Sequence, residues 1–159
     1  MVIDTIVRNK NLIEEQGLEL FKYFLQNILG YDNETIIHLG YKHIFKVALK
    51  CCDDGYVSYK TDKNGDKILK GYSLSMGTML SRRYELLIIC GDSIGIVQRI
   101  LKEAVEYFSR FEVFNLFYYF PVNDEIRYLF EDNNFELERI REKAYSQDFE
   151  VMEFKLKHN

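Results

Sequence analysis

Ser93 and Gly95 stand between two apolar stretches whose order could build an anion site. Residues 84–90 are nearly continuously apolar, as in a strand that is buried on both faces. An apolar stripe of helical period begins at Ile96. A helix N-terminus that follows a strand directly can hold an anion through its backbone N–H groups and its dipole. The alternative is that Asp92 and Ser93 only cap the helix, because Asp and Ser are favoured at any helix start.

The cysteines and histidines predict neither a disulfide framework nor a metal site. Cys51 and Cys52 are adjacent and Cys90 makes the count odd, which is typical of reduced thiols in the cytosol. No C-x-x-C occurs, and the three histidines lack ligand spacing, so we expect no metal. At the end of its strand, Cys90 is more typical of a small buried hydrophobe than of a nucleophile.

Hydrophobic period and turn residues predict the elements that position this junction. Helices are expected at 11–29, 33–39, 96–108 and 124–131, with Gly30 ending the first and Asn33 capping the second. Strands are expected at 2–7, 44–51, 56–61, 67–75, 84–90, 113–120, 138–143 and 149–157. Asn64-Gly65 lies between two strand-like runs and predicts a hairpin. The result is a mixed α/β sheet with one strand–helix–strand crossover at its centre.

The length and the net charge of the chain limit the functions that are compatible with it. The chain of 159 residues is expected to form a single domain, 1–159. Its net charge of −4 argues against binding nucleic acid by phosphate neutralisation. No stretch is apolar enough for a membrane span, and residues 1–8 lack a secretory pattern, so we expect a cytoplasmic protein that does not contact membranes.

Three local patterns occur in order along the chain: residues 95–104, with Gly95 and the stripe Ile100, Leu101 and Ala104; Asn123-x-x-Ile126-x-x-Leu129-Phe130, ending in Asn134-Phe135; and the strand-like tail 145–156. In this order and spacing they resemble the GNAT superfamily of acyl-CoA-dependent N-acyltransferases. The resemblance implies a mixed, mostly antiparallel central sheet flanked by helices. It also implies transfer of an acyl group from acetyl-CoA or another acyl-CoA to a primary amine, on a small molecule or a peptide, without a metal.

The resemblance also implies how the cofactor would bind. The pyrophosphate would lie at the first turn of the helix, and the pantetheine arm would pair beside strand 84–90 if the next strand splays away. The cofactor-binding residues would be Leu87, Ile88, Ile89, Ser93, Ile94, Gly95, Ile96, Val97, Asn123 and Phe130. Asn123 could equally cap the helix that follows it.

Three residues depart from the GNAT pattern. Asp92 stands where Arg or Gln is usual and brings negative charge towards a polyphosphate. Val97 stands where Gly or Ala is usual, and its branched side chain is expected to crowd the approach. Phe130 replaces the tyrosine that often protonates the leaving thiolate, and it cannot donate a proton.

The resemblance makes Glu85 the candidate general base, because family members often carry an acid or a polar group on this strand. Its alternative is an outward-facing, solvated glutamate. Tyr128 and Tyr145 are candidate replacement acids, or packing residues with a wet hydroxyl. The mechanism would be direct attack by the amine in a ternary complex.

Two other functions remain open. The three departures favour a non-catalytic GNAT-like binding or regulatory domain, whose ligand would be a protein or a small molecule. An unrelated α/β interaction module would share only the order of elements, and it would keep strands 84–90 and 113–120 fully paired. A homodimer could form if the terminal strands paired across subunits.

Overall fold

A seven-stranded sheet organises the chain in a computed structural model that describes residues 1–78, 82–110, 115–120, 124–141 and 151–157. The strands lie in the order β1-β2-β3-β4-β5-β7-β6. They are β1 (Val2–Thr5), β2 (Asp54–Thr61), β3 (Lys67–Thr78), β4 (Arg83–Gly91), β5 (Asn115–Phe120), β6 (Phe135–Arg141) and β7 (Val151–Leu156). Neighbours are antiparallel except β4 and β5, which are parallel and joined by helix α4 (Ile94–Arg110). The expected mixed, mostly antiparallel sheet with one crossover is confirmed.

The first helix starts earlier than its apolar period predicts. Helix α1 (Ile6–Tyr23) follows β1 at once, is kinked at Asn9, and continues into a π-helical turn over Phe24–Ile28. Gly30 ends it with a φ of 76°, as expected. Helix α2 (Asn33–Leu39) has the predicted bounds, but its cap is Asp32 rather than Asn33. The Asp32 carboxylate accepts the Thr35 N–H at 2.7 Å. Hydrogen bonds from the side chain and then the backbone of Thr35 lower the pKa of that carboxyl.

The strand predicted at 44–51 is wrong, because this segment lies in helix α3 (Tyr41–Cys51). Its β-formers suggested a strand, yet the buried residues Tyr41, Phe45 and Ala48 recur at helical spacing. Lys42, Lys46 and Lys50 repeat every four residues on the exposed side of the same helix. Burial of one helical face therefore outweighed local β propensity.

The hairpin between β2 and β3 confirms the turn prediction. Gly65 has a φ of 85°, and the Asp62 carboxylate accepts the N–H groups of Asn64 and Asp66. Such a left-handed backbone is accessible to glycine at little cost. The turn therefore sets the register in which β2 and β3 pair.

Helices cover both faces of the sheet. On one face the Tyr72 ring packs edge-on against Phe45 of α3, and its hydroxyl donates to the Gly17 carbonyl of α1 at 2.8 Å. On the other face α4 packs directly over β3, where Gly71 faces Ile96 and Ile100. Because side chains alternate along a strand, neighbouring residues of β3 serve opposite layers.

Helix α5 (Asp124–Asp132) completes the fold beside the last two strands. Its Phe130 lies in an aromatic cluster with Phe135 of β6 and Phe154 of β7, at centroid distances of 5.2 and 5.0 Å. All three rings are almost completely buried. Each such ring stabilises the fold by about 1.5–3 kcal/mol through burial.

The sheet edges differ from those assumed for a dimer. β7, the C-terminal strand, is paired on both sides, to β5 and to β6. Of the two terminal strands, only β1 lies at an edge. Pairing of β7 across subunits is therefore excluded, and a homodimer through β1 stays a prediction. No helix in the described part of the chain is both long and apolar enough to cross a membrane.

Candidate functional site

Strands β4 and β5 separate halfway along their length. Their pairing runs from Arg83 opposite Asn115 to Leu86 opposite Tyr118. Beyond Leu86, β4 stays paired with β3 as far as Gly91, whereas Tyr119 and Phe120 of β5 pair with β7. In the described ranges, the second half of β4 thus has no strand partner on its β5 side. The two strands form a V whose open end points towards the start of α4.

A bulge in β4 coincides with the point of separation. Leu86 is opposite Ser75 and Ile88 is opposite Leu74, so Leu87 is the additional residue on β4. A bulge bends its strand and increases the local twist. The bend at Leu87 therefore gives a physical reason why β4 and β5 diverge there.

The open edge of β4 offers backbone rather than side chains. Ile88 and Ile89 are only 1% exposed, and Leu87 is half-buried, so these side chains belong to the core. Unpaired backbone N–H and C=O groups along such an edge can bind an extended ligand as an added strand. The predicted contacts of Leu87, Ile88 and Ile89 can accordingly be made by their main chain.

The first turn of α4 is exposed at Ser93 and Gly95. Ser93 caps the helix: its hydroxyl oxygen accepts the Ile96 N–H at 3.4 Å, and its carbonyl accepts the Val97 N–H at 3.2 Å. In the described structure, the N–H groups of Ile94 and Gly95 remain as donors without a partner. Among the described residues, a Cβ at Gly95 would meet nothing closer than the Ser93 hydroxyl at 4.0 Å. No described residue therefore fills the space beside these two donors.

Solved structures of acetyltransferases share this architecture. An aminoglycoside 6'-N-acetyltransferase complexed with coenzyme A is similar over 100% of this chain and 99% of its own, with 10% identity and a TM-score of 0.67. For a chain of the NatC complex bound to Gag peptide and CoA, coverage is 100% of both chains, identity 15% and the TM-score 0.62. For a putative acetyltransferase of the GNAT family from Desulfovibrio desulfuricans, coverage is 89% and 92%, identity 16% and the TM-score 0.60.

The chain has the GNAT fold. No protein-family model and no curated protein sequence matches it. At these identities the structural likeness concerns the fold, and the residues of this chain must carry any argument about chemistry.

The predicted crowding by Val97 at the first turn of this GNAT fold is wrong. Val97 is fully buried, and its Cγ2 would lie 3.3 Å from a Cβ on Gly91. Ile96 also points into the core and is 8% exposed. Both side chains pack beneath the helix, so neither projects into the space above Gly95.

The negative charge of Asp92 is paired. Its carboxylate lies 3.3 Å from the ammonium of Lys70 on β3, and its N–H donates to the Lys70 carbonyl at 2.9 Å. Asp92 therefore does not act as an isolated anion at the α4 turn. Lys70 was missed by sequence analysis, because nothing local in the chain links it to residue 92.

Glu85 lies on the face of the sheet that α1 and α3 cover. Every second residue of β3 points to that face, and these residues are Tyr72, Leu74 and Met76. Glu85 is the strand partner of Met76 and points the same way. Its carboxylate is 25% exposed and lies 3.2 Å from the Arg83 guanidinium. The residue stands one position before the last β4–β5 pair, Leu86 with Tyr118. Its role as a base stays a prediction.

Two other candidate groups have surroundings that argue against catalysis. Cys90 is fully buried beside the Tyr72 hydroxyl, and burial raises the pKa of its thiol far above the usual range. Tyr128 is 61% exposed, two residues from the buried Phe130 and hence on the opposite side of α5. Its hydroxyl lies in solvent, which agrees with the alternative that Tyr128 has a hydrated hydroxyl and no catalytic role. Asn123 and Tyr145 lie outside the described residues.

Phe130 does not face an open cleft. It is fully buried between Phe135 and Phe154, so its ring supports the core instead of lining a ligand site. The predicted contact of the Phe130 side chain with the cofactor is therefore contradicted. The cause is the aromatic cluster, which only the pairing of β6 with β7 assembles.

A second carboxylate close to the separation was also missed. Glu153 of β7 is 2% exposed, forms an ion pair with Arg139 of β6, and is the strand partner of Tyr119 on β5. It alternates with Phe154, so it lies on the face opposite α5. The alternating tail in the sequence indicated this placement, but the pairing with Arg139 depends on strand register. Within the described residues, no group of three His, Cys, Asp or Glu could hold a metal ion.

A shallow groove of about 540 Å³ runs along α1, lined by Glu15, Glu19 and Lys22 among others. It lies beside β3 rather than between β4 and β5. The Gln16 side chain, which lines it, donates to the Lys67 carbonyl and accepts the Leu69 N–H, both at 2.9 Å. Gln16 thus satisfies backbone groups of β3 before its pairing with β4 begins at Gly71, and the groove is separate from the V.

Proposed function

We propose that this protein is an N-acyltransferase that moves an acetyl or other acyl group from acyl-CoA to a primary amine. The observation that carries the proposal is the separation of β4 from β5 at Leu86, opening towards the unclaimed N–H groups of Ile94 and Gly95. An extended arm fits along an unpaired strand edge, and a phosphate fits at a helix N-terminus. Acyl-CoA has both parts, joined in the order that the V and the helix present.

The alternative function, that of an unrelated α/β interaction module, requires β4 and β5 to pair along their full length. Pairing that stops four residues into β4 disfavours it. The similar structures include chains crystallised with coenzyme A, which supports the same ligand class here. Their acceptors, an aminoglycoside and a peptide, motivate testing both kinds of amine.

The proposed reaction needs a group that accepts the amine proton, and the chain offers Glu85. An attacking amine must be neutral, and Glu85 can take its proton directly or through a water. The amine nitrogen bonds the acyl carbon as the carbon–sulfur bond breaks, and the proton lost by nitrogen can finally reach the sulfur. Acyl-CoA supplies the activated acyl group as a thioester. A thiolate leaves without an obligatory donor, since the pKa of a thiol is only about 8.5.

A catalytically degenerate GNAT-like binding domain is the second candidate. It is favoured by Phe130, which is buried and has no proton to donate. Such a domain would still bind CoA but would not turn over. In either case we place the protein in the cytoplasm, where its three free thiols would stay reduced.

Calorimetric titration with acetyl-CoA and with free CoA tests binding first. We expect micromolar affinity, and we expect the Gly95→Trp variant to lose it by filling the space above the first turn. Lys63→Trp, on the exposed β2–β3 turn, is the control for an added surface indole. Absence of binding at millimolar CoA would refute the proposal.

Turnover separates the enzyme from the degenerate domain. Release of CoA thiol would be followed with an aminoglycoside and with a peptide that has a free N-terminus. Glu85→Gln should lower kcat by about 100-fold or more, while acetyl-CoA affinity stays unchanged. Tight CoA binding without turnover on a broad amine panel would favour the binding domain.

A further inference from the structure

Lys70 occupies an irregular position in β3. Gly71 pairs with Ser58 and Leu69 pairs with Tyr59, so Lys70 is an additional residue without a partner on β2. A bulge of this kind re-aims a side chain out of the regular alternation, and bulges often occur beside functional sites. The sequence alone did not distinguish Lys70 from the other lysines of this hairpin.

Two contacts fix Lys70 to the residue that precedes the α4 cap. Its carbonyl accepts the Asp92 N–H at 2.9 Å, and its ammonium lies 3.3 Å from the Asp92 carboxylate. The two side chains are 28% and 31% exposed, so a ligand in solution can reach both of them. The ion pair is thus ordered by the backbone but remains open to solvent.

The position of this pair relative to α4 is set by close packing. Gly71 is opposite Gly91, and a Cβ on Gly71 would lie 2.5 Å from Ile96 Cγ2. The first turn of α4 therefore rests almost on the backbone next to Lys70. The backbone of Lys70 is therefore held beside the start of the helix.

We propose that Lys70 is the cationic residue that contacts the diphosphate of bound acyl-CoA, and that Asp92 positions it. This inference rests on the proposed function. An ammonium has three donors, and one directed at Asp92 leaves two for phosphate oxygens. Asp92 stands where Arg or Gln is usual in the GNAT pattern, and Lys70 on the neighbouring strand balances its negative charge and supplies a cation at the same place.

The test compares ligands that differ in phosphate content. Calorimetry would measure the affinities of CoA, dephospho-CoA and pantetheine for three proteins: the wild type, Lys70→Met and Lys70→Arg. We expect Lys70→Met to weaken CoA and dephospho-CoA about tenfold, which is the loss of one charge-assisted contact, and to leave pantetheine unchanged. Lys70→Arg should retain most of the affinity. Lys63→Met removes the same charge from the distant turn and is the matched control.

A double variant distinguishes contact from neutralisation. In Lys70→Met/Asp92→Asn both charges are absent, and we expect CoA binding to stay weak. Recovery of wild-type affinity in the double variant would overturn the proposal, since Lys70 would then act only by cancelling Asp92. Equal affinity of wild type and Lys70→Met would also overturn it while leaving the proposed function intact. A wild-type protein that binds no CoA would instead refute the proposed function.

Discussion

Replacing Gly71 by alanine should destabilise the protein by forcing α4 away from the sheet. The new Cβ would lie 2.5 Å from Ile96 Cγ2, 2.8 Å from Ile100 Cδ1 and 3.1 Å from the Cys90 carbonyl oxygen. Ile100 Cδ1 is the flexible end of its side chain and can turn aside. Ile96 is branched at Cβ and the carbonyl belongs to a paired strand, so these two neighbours yield only with a backbone shift.

The size of the effect follows from two opposing terms. Overpacking of this kind costs about 1–3 kcal/mol. Contacts of 2.5 and 2.8 Å place the cost in the upper part of that range, about 2–3 kcal/mol. Alanine recovers about 0.5–1 kcal/mol, because glycine in a strand loses more backbone entropy on folding. The net loss is therefore about 1–2.5 kcal/mol, which corresponds to a fall in Tm of about 2–10 °C for a chain of this size.

Thermal unfolding followed by circular dichroism measures this fall, with Gly95→Ala as the matched control. Among the described residues, a Cβ at Gly95 meets only the Ser93 hydroxyl at 4.0 Å, so the Tm of that variant should match or slightly exceed that of the wild type. CoA affinity of Gly71→Ala should also drop, since the α4 turn moves. Unchanged stability of Gly71→Ala would refute the close packing of α4 on β3 from which the placement of Lys70 is argued.

Three further outcomes are expected. Tyr72→Phe removes the hydroxyl that donates to the Gly17 carbonyl and should cost about 1–2 kcal/mol of unfolding free energy in urea titrations, whereas Tyr128→Phe on the surface should cost nothing. Because burial raises the pKa of Cys90, the folded thiol stays neutral while the unfolded one ionises, so stability is complete below pH of about 8.5 and falls above it. Cys90→Ala should flatten that fall in unfolding measured from pH 7 to 10, and an equally steep fall would exclude Cys90 as its source. Phe130→Tyr should lower Tm without raising turnover, because the hydroxyl enters an aromatic cluster rather than a cleft; a gain in kcat would contradict this placement.

Much of the fold could be predicted because its signals are local. The stripe of α4, the Asn64-Gly65 turn and the apolar run of β4 each depend on residues close together in the chain. Helix α3 was mistaken for a strand because β-forming residues and helical spacing coexist there. Which of the two prevails depends on the face that α1 and β3 offer for burial, and local propensity does not contain that information.

The site was predicted in outline and corrected in detail. Ser93 and Gly95 were placed correctly at the start of a helix after the central strand. Val97 and Phe130 were assigned to the ligand side, yet both are fully buried. Residues two positions apart in a helix point to nearly opposite sides. A motif that is matched by sequence position alone therefore does not tell which of its side chains face the ligand.

The sequence by itself determined most of the elements in their order, with α3 as the exception, and also the hairpin turn and the helix start after β4. These features rest on hydrophobic period and on turn chemistry. Only the tertiary structure decided that β4 and β5 separate at Leu86, and that Lys70 pairs with Asp92. Both depend on bulges, at Leu87 and at Lys70, that shift one strand by a residue against its neighbour. A bulge is a property of two strands pairing, so a single stretch of sequence does not specify where it falls.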